Sequence, residues 1–258
     1  LCNSFVRTLN VLQPKKVLDI DVTLSESAKG ELTFTLFDGD KVIGEKKTDF
    51  SGRVINAKWA VTDVELWDTE NPKLYTLVTE LVRNGEIIDR EENRFGFREI
   101  EFTPDNGFFL NGRHVKLHGC CEHHDLGSLG AAVNRTAIKR KLELLRTMGI
   151  NAIRTSHNMP AVELMELADE MGFLIMSEGF DMWEMPKTEY DYARFLPEWA
   201  GKDIASWVRR DRNHPSIIGW SIGNEIYDTA ASERGQEITS ILMGHVRQHD
   251  PRHNGYVT

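Results

Sequence analysis

Long hydrophobic runs and basic charge are both scarce in this sequence. No apolar stretch approaches the roughly 20 residues that span a membrane, and residues 1–8 lack the charged and apolar regions of a signal peptide. Lys and Arg number 31 against 40 Asp and Glu, which gives a net charge of -9. These absences argue against nucleic acid and membranes as partners, and they favour a soluble protein, cytoplasmic or periplasmic.

Cysteine is also rare, with Cys2, Cys120 and Cys121 the only three. Two of them are adjacent, so no disulfide framework is predicted. The remaining composition, 40% hydrophobic and 28% charged over 258 residues, is ordinary for a globular protein of one or two domains.

Residues 10–98 carry the pattern of a small antiparallel β-sandwich. Leu18, Ile20 and Val22 alternate with polar residues, as in a strand with one wet face. Asn84-Gly85, between two apolar pairs, is a strong hairpin signal. Residues 1–9 are predicted to be a linker from a preceding domain.

From residue 99 onward the pattern changes to alternating strands and helices, which predicts parallel βα units. A hairpin turning at Asn111-Gly112 is followed by a helix whose apolar residues include Ile138 and Leu142, with Gly149 as its stop. The predicted strands lie at 115–119, 152–154, 173–176 and 217–222, and a fifth begins at 255–257. Residues 99–258 thus predict the first half of a (β/α)8 barrel.

The stretch 217–225, I-I-G-W-S-I-G-N-E, combines a buried strand with a terminal carboxylate. A strand buried on both faces has no reason to end in Glu225 unless it leaves the core there. In a (β/α)8 barrel that place is the carboxyl-terminal rim, where active sites lie. The alternative is a glutamate that merely caps the next helix.

Three motifs resemble signatures of glycoside hydrolase family 2, which contains the β-galactosidases, β-glucuronidases and β-mannosidases. They are 66–77 (L-W-D-T-E-N-P-K-L-Y-T-L), 151–160 (N-A-I-R-T-S-H-N-M-P) and 209–225 (R-R-D-R-N-H-P-S-I-I-G-W-S-I-G-N-E). They occur in family order, and the likeness extends through almost the whole chain. The resemblance implies an immunoglobulin-like β-sandwich followed by the first half of a TIM (β/α)8 barrel.

The activity implied by the resemblance is that of a retaining exo-β-glycosidase, with β-galactosidase favoured and β-glucuronidase or β-mannosidase as alternatives. Glu225 matches the general acid/base, and Asn224 matches the residue that hydrogen-bonds the sugar 2-hydroxyl. Retention needs a second carboxylate roughly 5–5.5 Å away. No residue here matches that nucleophile, so the 258 residues alone are expected to be inactive.

Further site residues are expected at the preceding βα junctions. The resemblance implies that His157 binds the sugar and that Arg154 holds nearby carboxylates, with Glu178 its expected partner. Asp181 is expected to accept hydrogen bonds from sugar hydroxyls, and Trp183 to offer a flat apolar face to the ring. A purely structural role for His157 is the alternative.

The segment 120–125, C-C-E-H-H-D, admits two interpretations. Thiolate, imidazole and carboxylate are zinc ligands, which suggests a zinc hydrolase using Cys121, His123, His124 and Asp125. Neighbours on an extended segment point to opposite sides, however, and the usual zinc spacings are absent. The resemblance implies instead that His123 or His124 lines the sugar pocket, and His124 is the preferred candidate. No metal and no cofactor are therefore expected.

A rival from another class is a non-catalytic carbohydrate-binding protein on the same fold. The intact Asn224, Glu225 and His157 argue against a decayed site, and a glutamate ending a later barrel strand would distinguish the enzyme. A carbohydrate is the expected partner in either case. The sugar, the linkage and whether the full-length protein forms a homo-oligomer are left open.

A first prediction is that activity needs no divalent cation. The resemblance aligns Met182 and Glu184 with the positions at which the magnesium-dependent β-galactosidases of family 2 have a glutamate and a histidine. A thioether with a lone carboxylate makes a poor magnesium site. Full-length protein dialysed against EDTA should keep its rate. A large loss that magnesium restores would show that this alignment is wrong.

Overall fold

The computed structural model describes residues 1, 3–229, 232–251 and 256–258. Two compact units make up the chain: Leu1–Val115 with Asn213–Pro215, and Lys116–Arg212 with Ser216–Thr258. Cys2, and Gly255 at the start of the predicted fifth barrel strand, lie outside the described residues.

The first unit consists of antiparallel strands. Its larger sheet contains β1 (Asn3–Leu9), β2 (Lys16–Asp38), β3 (Lys41–Val61), β4 (Tyr75–Arg83) and β5 (Glu86–Phe95). The order is β1-β2-β4-β5, with β3 paired to β2. A smaller sheet contains β6 (Ile100–Thr103), β7 (Gly107–Leu110) and β8 (Arg113–His114).

The long strand β2 organises this unit because it changes partners along its length. Its first part pairs with β1 and its second part with β4, and its register with β3 shifts between Thr23 and Ala28. Alternate residues of both parts, such as Leu18 and Leu32, are fully buried. The predicted immunoglobulin-like β-sandwich is confirmed.

Two segments differ from expectation. The prediction of a linker over residues 1–9 is wrong, because Asn3–Leu9 is an edge strand of the sheet and pairs along its whole length with β2. Residues 99–115 belong to the first compact unit rather than to the second. Asn111 Nδ2 donates to the carbonyl of Trp67 at 3.0 Å, and Arg113 pairs with Asp68 at 2.6 Å.

The second unit alternates strands and helices. It contains β9 (Gly119–His123), α1 (Arg135–Thr147), β10 (Ala152–Ser156), α2 (Val162–Met171), β11 (Leu174–Glu178), α3 (Leu196–Asp211), β12 (Ile217–Ser221), α4 (Glu233–His249) and β13 (Tyr256–Val257). All strand pairs are parallel, in the order β13-β12-β11-β10-β9. This is the predicted first half of a TIM barrel.

The first barrel strand begins later than predicted. The amide of Val115 donates to the carbonyl of Phe108 and so extends the preceding hairpin, whereas parallel pairing begins where Gly119 faces Ala152. The segment 120–123 therefore lies within β9 rather than after it. Successive side chains of this segment point to opposite faces of the sheet.

The core of the second unit contains two buried tryptophans in edge-to-face contact. The rings of Trp207 and Trp220 lie 5.0 Å apart at 87°. Each indole N–H has a partner: Trp207 donates to Ser177 Oγ at 3.0 Å, and Trp220 donates to Asp250 Oδ2 at 3.1 Å. Large apolar area is therefore buried without an unpaired donor.

No helix in the described part of the chain is both long and apolar enough to cross a bilayer.

The second prediction concerns His249, which is buried at the end of α4. Burial, and then the positive charges of Arg209 and Arg212, lower the pKa of His249 from 6.5 to about 4. The unfolded chain therefore binds this proton at higher pH than the folded chain does. Its neutral form supports the fold fully above about pH 6.5, and stability falls by up to about 1.4 kcal/mol per unit as pH decreases towards 4.

The measurement is urea unfolding at several pH values within this window. The free energy of unfolding of wild type should fall more steeply with acidification than that of His249→Gln. Equal slopes for the two proteins would contradict the assignment.

Candidate active site

The carboxyl ends of β9, β10, β11 and β12 carry the candidate active site. The strands are parallel neighbours, so these ends meet at one edge of the sheet. The candidate residues there come from four successive junctions: His123 and His124, Arg154 and His157, Glu178 and Asp181, Asn224 and Glu225.

Glu178 is the centre of this edge. It is the last residue of β11, and its side chain is fully buried. Arg154 Nε donates to Glu178 Oε2 at 2.7 Å, and Ser221 Oγ donates to the same oxygen at 2.6 Å. His157 Nδ1 lies 2.6 Å from the other oxygen. The charge that burial makes costly is thus matched by a guanidinium and by hydrogen bonds at both oxygens.

The expected pairing of Arg154 with Glu178 is present in this geometry. Partial burial alone would lower the pKa of Arg154, but the hydrogen bond and charge of Glu178 outweigh it, so the net pKa is raised. Arg154 remains a cation and has donors for a second partner.

Asn224 is that second partner, and its orientation is fixed at both ends of the amide. Arg154 Nη2 donates to Asn224 Oδ1 at 3.0 Å, and Asn224 Nδ2 donates to Asp181 Oδ1 at 2.9 Å. Asn224 is buried at 8% exposure. Its neighbours therefore set which end of the amide is the donor.

Lys187 holds the outer end of this network. Its ammonium donates to Asp181 Oδ1 at 2.8 Å and to the main-chain carbonyl of Asn224 at 2.9 Å. Burial raises the pKa of Asp181, but the hydrogen bonds from Lys187 and Asn224 outweigh it and keep that pKa below its usual range. Asp181 is accordingly a carboxylate at neutral pH.

Glu225 follows Asn224 in the sequence and differs from Glu178 in its exposure to solvent and in its lack of charged partners among the described residues. Its side chain is exposed, and within the described part of the chain its carboxylate has no ion-pair partner. Its backbone is left-handed, with φ at 45°. The side chain is thus exposed immediately after the buried Asn224.

The histidine beside the network is His123 rather than His124. The rings of His123 and His157 lie 5.2 Å apart at 84°. His124 Nε2 instead lies 3.0 Å from the carbonyl of Ala131, in the following loop. Both histidines line a small pocket bounded by that loop, α1 and α2.

The expectation that Trp183 is a stacking surface is wrong for this structure. Trp183 is only 3% exposed and belongs to the hydrophobic core of the unit. Its indole N–H donates to the carbonyl of Ile222 at 2.7 Å. A buried ring with a satisfied N–H packs in the core beneath the rim and offers no open face to a sugar.

The zinc interpretation of 120–125 finds no convergent ligands. No group of three or more His, Cys, Asp or Glu among the described residues is placed to hold a metal ion. Glu122 pairs with Lys141, and Cys121 faces Arg154 across the β9–β10 ladder.

In the loop after β11, Glu184 pairs with Arg234, which lowers the pKa of Glu184.

Three residues of the network were not predicted from the sequence: Thr155, Lys187 and Ser221. Thr155 Oγ1 accepts from the amide of Glu178 at 2.9 Å. The signal for Ser221 was present, because a hydroxyl in an otherwise apolar strand needs a buried partner. Lys187 lies in an irregular loop, where no periodicity indicates which way a side chain reaches.

The third prediction tests the dependence of Glu178 on Arg154. Arg154→Met leaves a fully buried carboxylate without its cation and should lower the free energy of unfolding by about 3–5 kcal/mol. Adding Glu178→Gln removes that charge and should recover part of the loss. Chemical denaturation measures both.

Arg135→Met is the matched control. Arg135 pairs with Glu166 and Glu170 at the surface, and its side chain is 41% exposed, so its loss should cost no more than about 1 kcal/mol. Equal effects of Arg154→Met and Arg135→Met would contradict the prediction.

Comparison with known proteins places this geometry in a family. Residues 102–254 match the model described as glycosyl hydrolases family 2, TIM barrel domain, and residues 6–98 match the model described as glycosyl hydrolases family 2.

Two curated relatives illustrate the likeness. The β-galactosidase BoGH2A of Bacteroides ovatus is 43% identical over 235 residues, which are 87% of this chain and 28% of that protein. A β-glucuronidase of Streptococcus agalactiae is 32% identical over 216 residues, 76% of this chain and 33% of that protein. The chain thus spans about a third or less of these relatives.

Solved structures show the same likeness. A family 2 member from Bacteroides cellulosilyticus superposes with a TM-score of 0.92 at 36% identity, over 96% of this chain and 33% of that one. A β-glycosidase from Bacteroides vulgatus gives a TM-score of 0.88 at 34% identity, over 99% and 32%. The chain therefore belongs to glycoside hydrolase family 2.

Proposed function

We propose that this chain is part of a longer retaining exo-β-glycosidase, with β-galactosidase the best-supported activity. One observation carries the proposal: an exposed carboxylate, Glu225, directly follows the buried and oriented amide of Asn224 at the carboxyl end of β12. The 43% identity with a β-galactosidase supports the choice of sugar.

Glu225 acts as the general acid and then as the general base. When protonated, it donates its proton to the glycosidic oxygen as the bond to the sugar breaks. As a carboxylate, it then takes a proton from the water that hydrolyses the glycosyl-enzyme. Its exposure gives both the leaving group and water access to the carboxylate.

Asn224 and His157 hold the sugar beside Glu225. One hydrogen of Asn224 Nδ2 is used by Asp181, and the second is available to the sugar 2-hydroxyl. His157 contacts Glu178 through Nδ1, so its Nε2 is left to form a hydrogen bond with a sugar hydroxyl. Asp181 keeps lone pairs for a further sugar hydroxyl. Because His123 contacts His157, His123 takes the place of His124 as the histidine beside the sugar.

The nucleophile belongs to a part of the enzyme outside these residues. Glu178 is fully buried and both of its oxygens are engaged, so it cannot attack an anomeric carbon. Asp181 is held by Lys187 and Asn224. The 258 residues alone would therefore not turn over a glycoside.

Lys187 also bears on the choice between sugars. A glucuronide needs a cation or amide for its carboxylate, and the Lys187 ammonium is already paired with Asp181. This favours a neutral sugar at this part of the rim. A panel of nitrophenyl β-galactoside, β-glucuronide and β-mannoside measured on the full-length protein distinguishes the three activities.

The domain division proposed for the full enzyme is an immunoglobulin-like sandwich over 10–98, to which β1 is added, and a half barrel over 99–258, of which residues 99–115 pack with the first compact unit. The two family models, which cover 6–98 and 102–254, support a boundary near residue 98.

The fourth prediction is that Glu225→Gln in the full-length enzyme impairs natural disaccharides far more than activated aryl glycosides. A poor leaving group needs the proton, and general acid catalysis contributes about 10²–10⁴-fold. Azide, which needs no base, should restore turnover of aryl glycosides and give a β-glycosyl azide. Steady-state kinetics and product analysis measure both effects.

Glu143→Gln is the matched control, since Glu143 lies on α1 with its side chain 56% exposed. It should behave as wild type. Equal losses of Glu225→Gln on all substrates, without azide rescue, would contradict the acid/base role.

A further inference from the structure

Lys187 joins two parts of the rim that come from different strands. Its Nζ donates both to Asp181 Oδ1 and to the main-chain carbonyl of Asn224, at 2.8 and 2.9 Å. Asn224 Nδ2 donates to the same oxygen of Asp181 at 2.9 Å. Three hydrogen bonds thus close a ring among these residues, and Lys187 is the only cation in it.

The contact with the Asn224 carbonyl bears directly on Glu225. That carbonyl and the amide nitrogen of Glu225 lie in one peptide plane, so the orientation of the plane sets φ of Glu225. The observed φ of 45° is left-handed, which is disfavoured for a residue with a Cβ atom. A conformation of this kind persists only where neighbouring contacts hold it, and Lys187 provides one.

The loop that carries Lys187 is itself fixed on both sides of this residue. The amide of Met185 donates to both carboxylate oxygens of the buried Asp228, at 3.2 and 3.1 Å. The amide of Lys187 donates to Asp191 Oδ2 at 2.7 Å. With its side chain only 15% exposed, Lys187 is held in place rather than free in solvent.

We propose that Lys187 is a positioning residue for Glu225, an inference that rests on the proposed acid/base role. It holds the peptide that precedes Glu225 and so keeps the Glu225 carboxylate in line with the glycosidic oxygen. It also neutralises Asp181, so that this second carboxylate lies at the rim without an unpaired charge. Lys187 itself does not touch the reacting atoms.

The test uses the full-length enzyme with Lys187→Met, Lys187→Arg and the control Lys139→Met. Lys139 is a surface lysine of α1 with its side chain 58% exposed, and its variant should match wild type. Lys187→Met should lower kcat on a natural disaccharide about 10- to 100-fold with little change in KM, because a displaced catalytic group is costly while binding persists. Lys187→Arg should recover part of the rate, since it keeps the charge and the reach.

Azide separates positioning from a general loss of structure. If Glu225 is displaced, azide should raise turnover of an aryl glycoside by Lys187→Met and give a β-glycosyl azide, as it should for Glu225→Gln. A reduced active-site titre without an azide response would mean a merely structural role. A raised KM at unchanged kcat would mean that Lys187 binds substrate. Either result would overturn the proposal.

If the proposed acid/base role of Glu225 is itself wrong, the kinetic results differ from those above. Full activity of Glu225→Gln, or a wild-type enzyme inactive on every glycoside, would remove the acid/base assignment itself. An active wild type that is impaired by Glu225→Gln but unaffected by Lys187→Met would overturn the role of Lys187 alone.

Discussion

The buried carboxylate of Glu178 is the interaction on which the rest of the rim depends. A fully buried charge is tolerated only with partners at its oxygens, and here those partners come from two other strands: Arg154 and His157 from the β10 side, and Ser221 from β12. Arg154, fixed by its contact with Glu178, in turn donates to Asn224 and fixes the orientation of that amide. The exposed Glu225 therefore stands at the end of a chain of contacts that begins in the core.

Two glutamates at this rim, Glu178 and Glu225, have opposite surroundings. Glu178 ends β11 and Glu225 lies in the turn that follows the neighbouring β12, yet Glu178 is inaccessible and fully engaged whereas Glu225 is exposed. The roles proposed for Glu178 and Glu225 thus follow from the surroundings of the two carboxylates and not from a difference in their chemistry.

Local sequence was sufficient to predict the fold and the residues whose chemistry contradicts their surroundings. A carboxylate after an apolar strand indicated Glu225, whereas the role expected of Arg154 came from the resemblance to the family. Features that depend on tertiary contacts could not be predicted in the same way. Burial of Trp183 depends on what packs over its loop, and the start of β9 at Gly119 depends on its register with β10. Lys187 was missed because an irregular loop gives no periodic signal.

The order of strands along the chain has a consequence for synthesis on the ribosome. Each strand of the parallel sheet pairs with its neighbour in sequence, so β10 is available before β11 emerges. Arg154 and His157 are therefore already synthesised when Glu178 is added to the chain. Arg154 and Asn224 are only 70 positions apart. The residues that surround Glu178 are thus all synthesised within one short interval of translation.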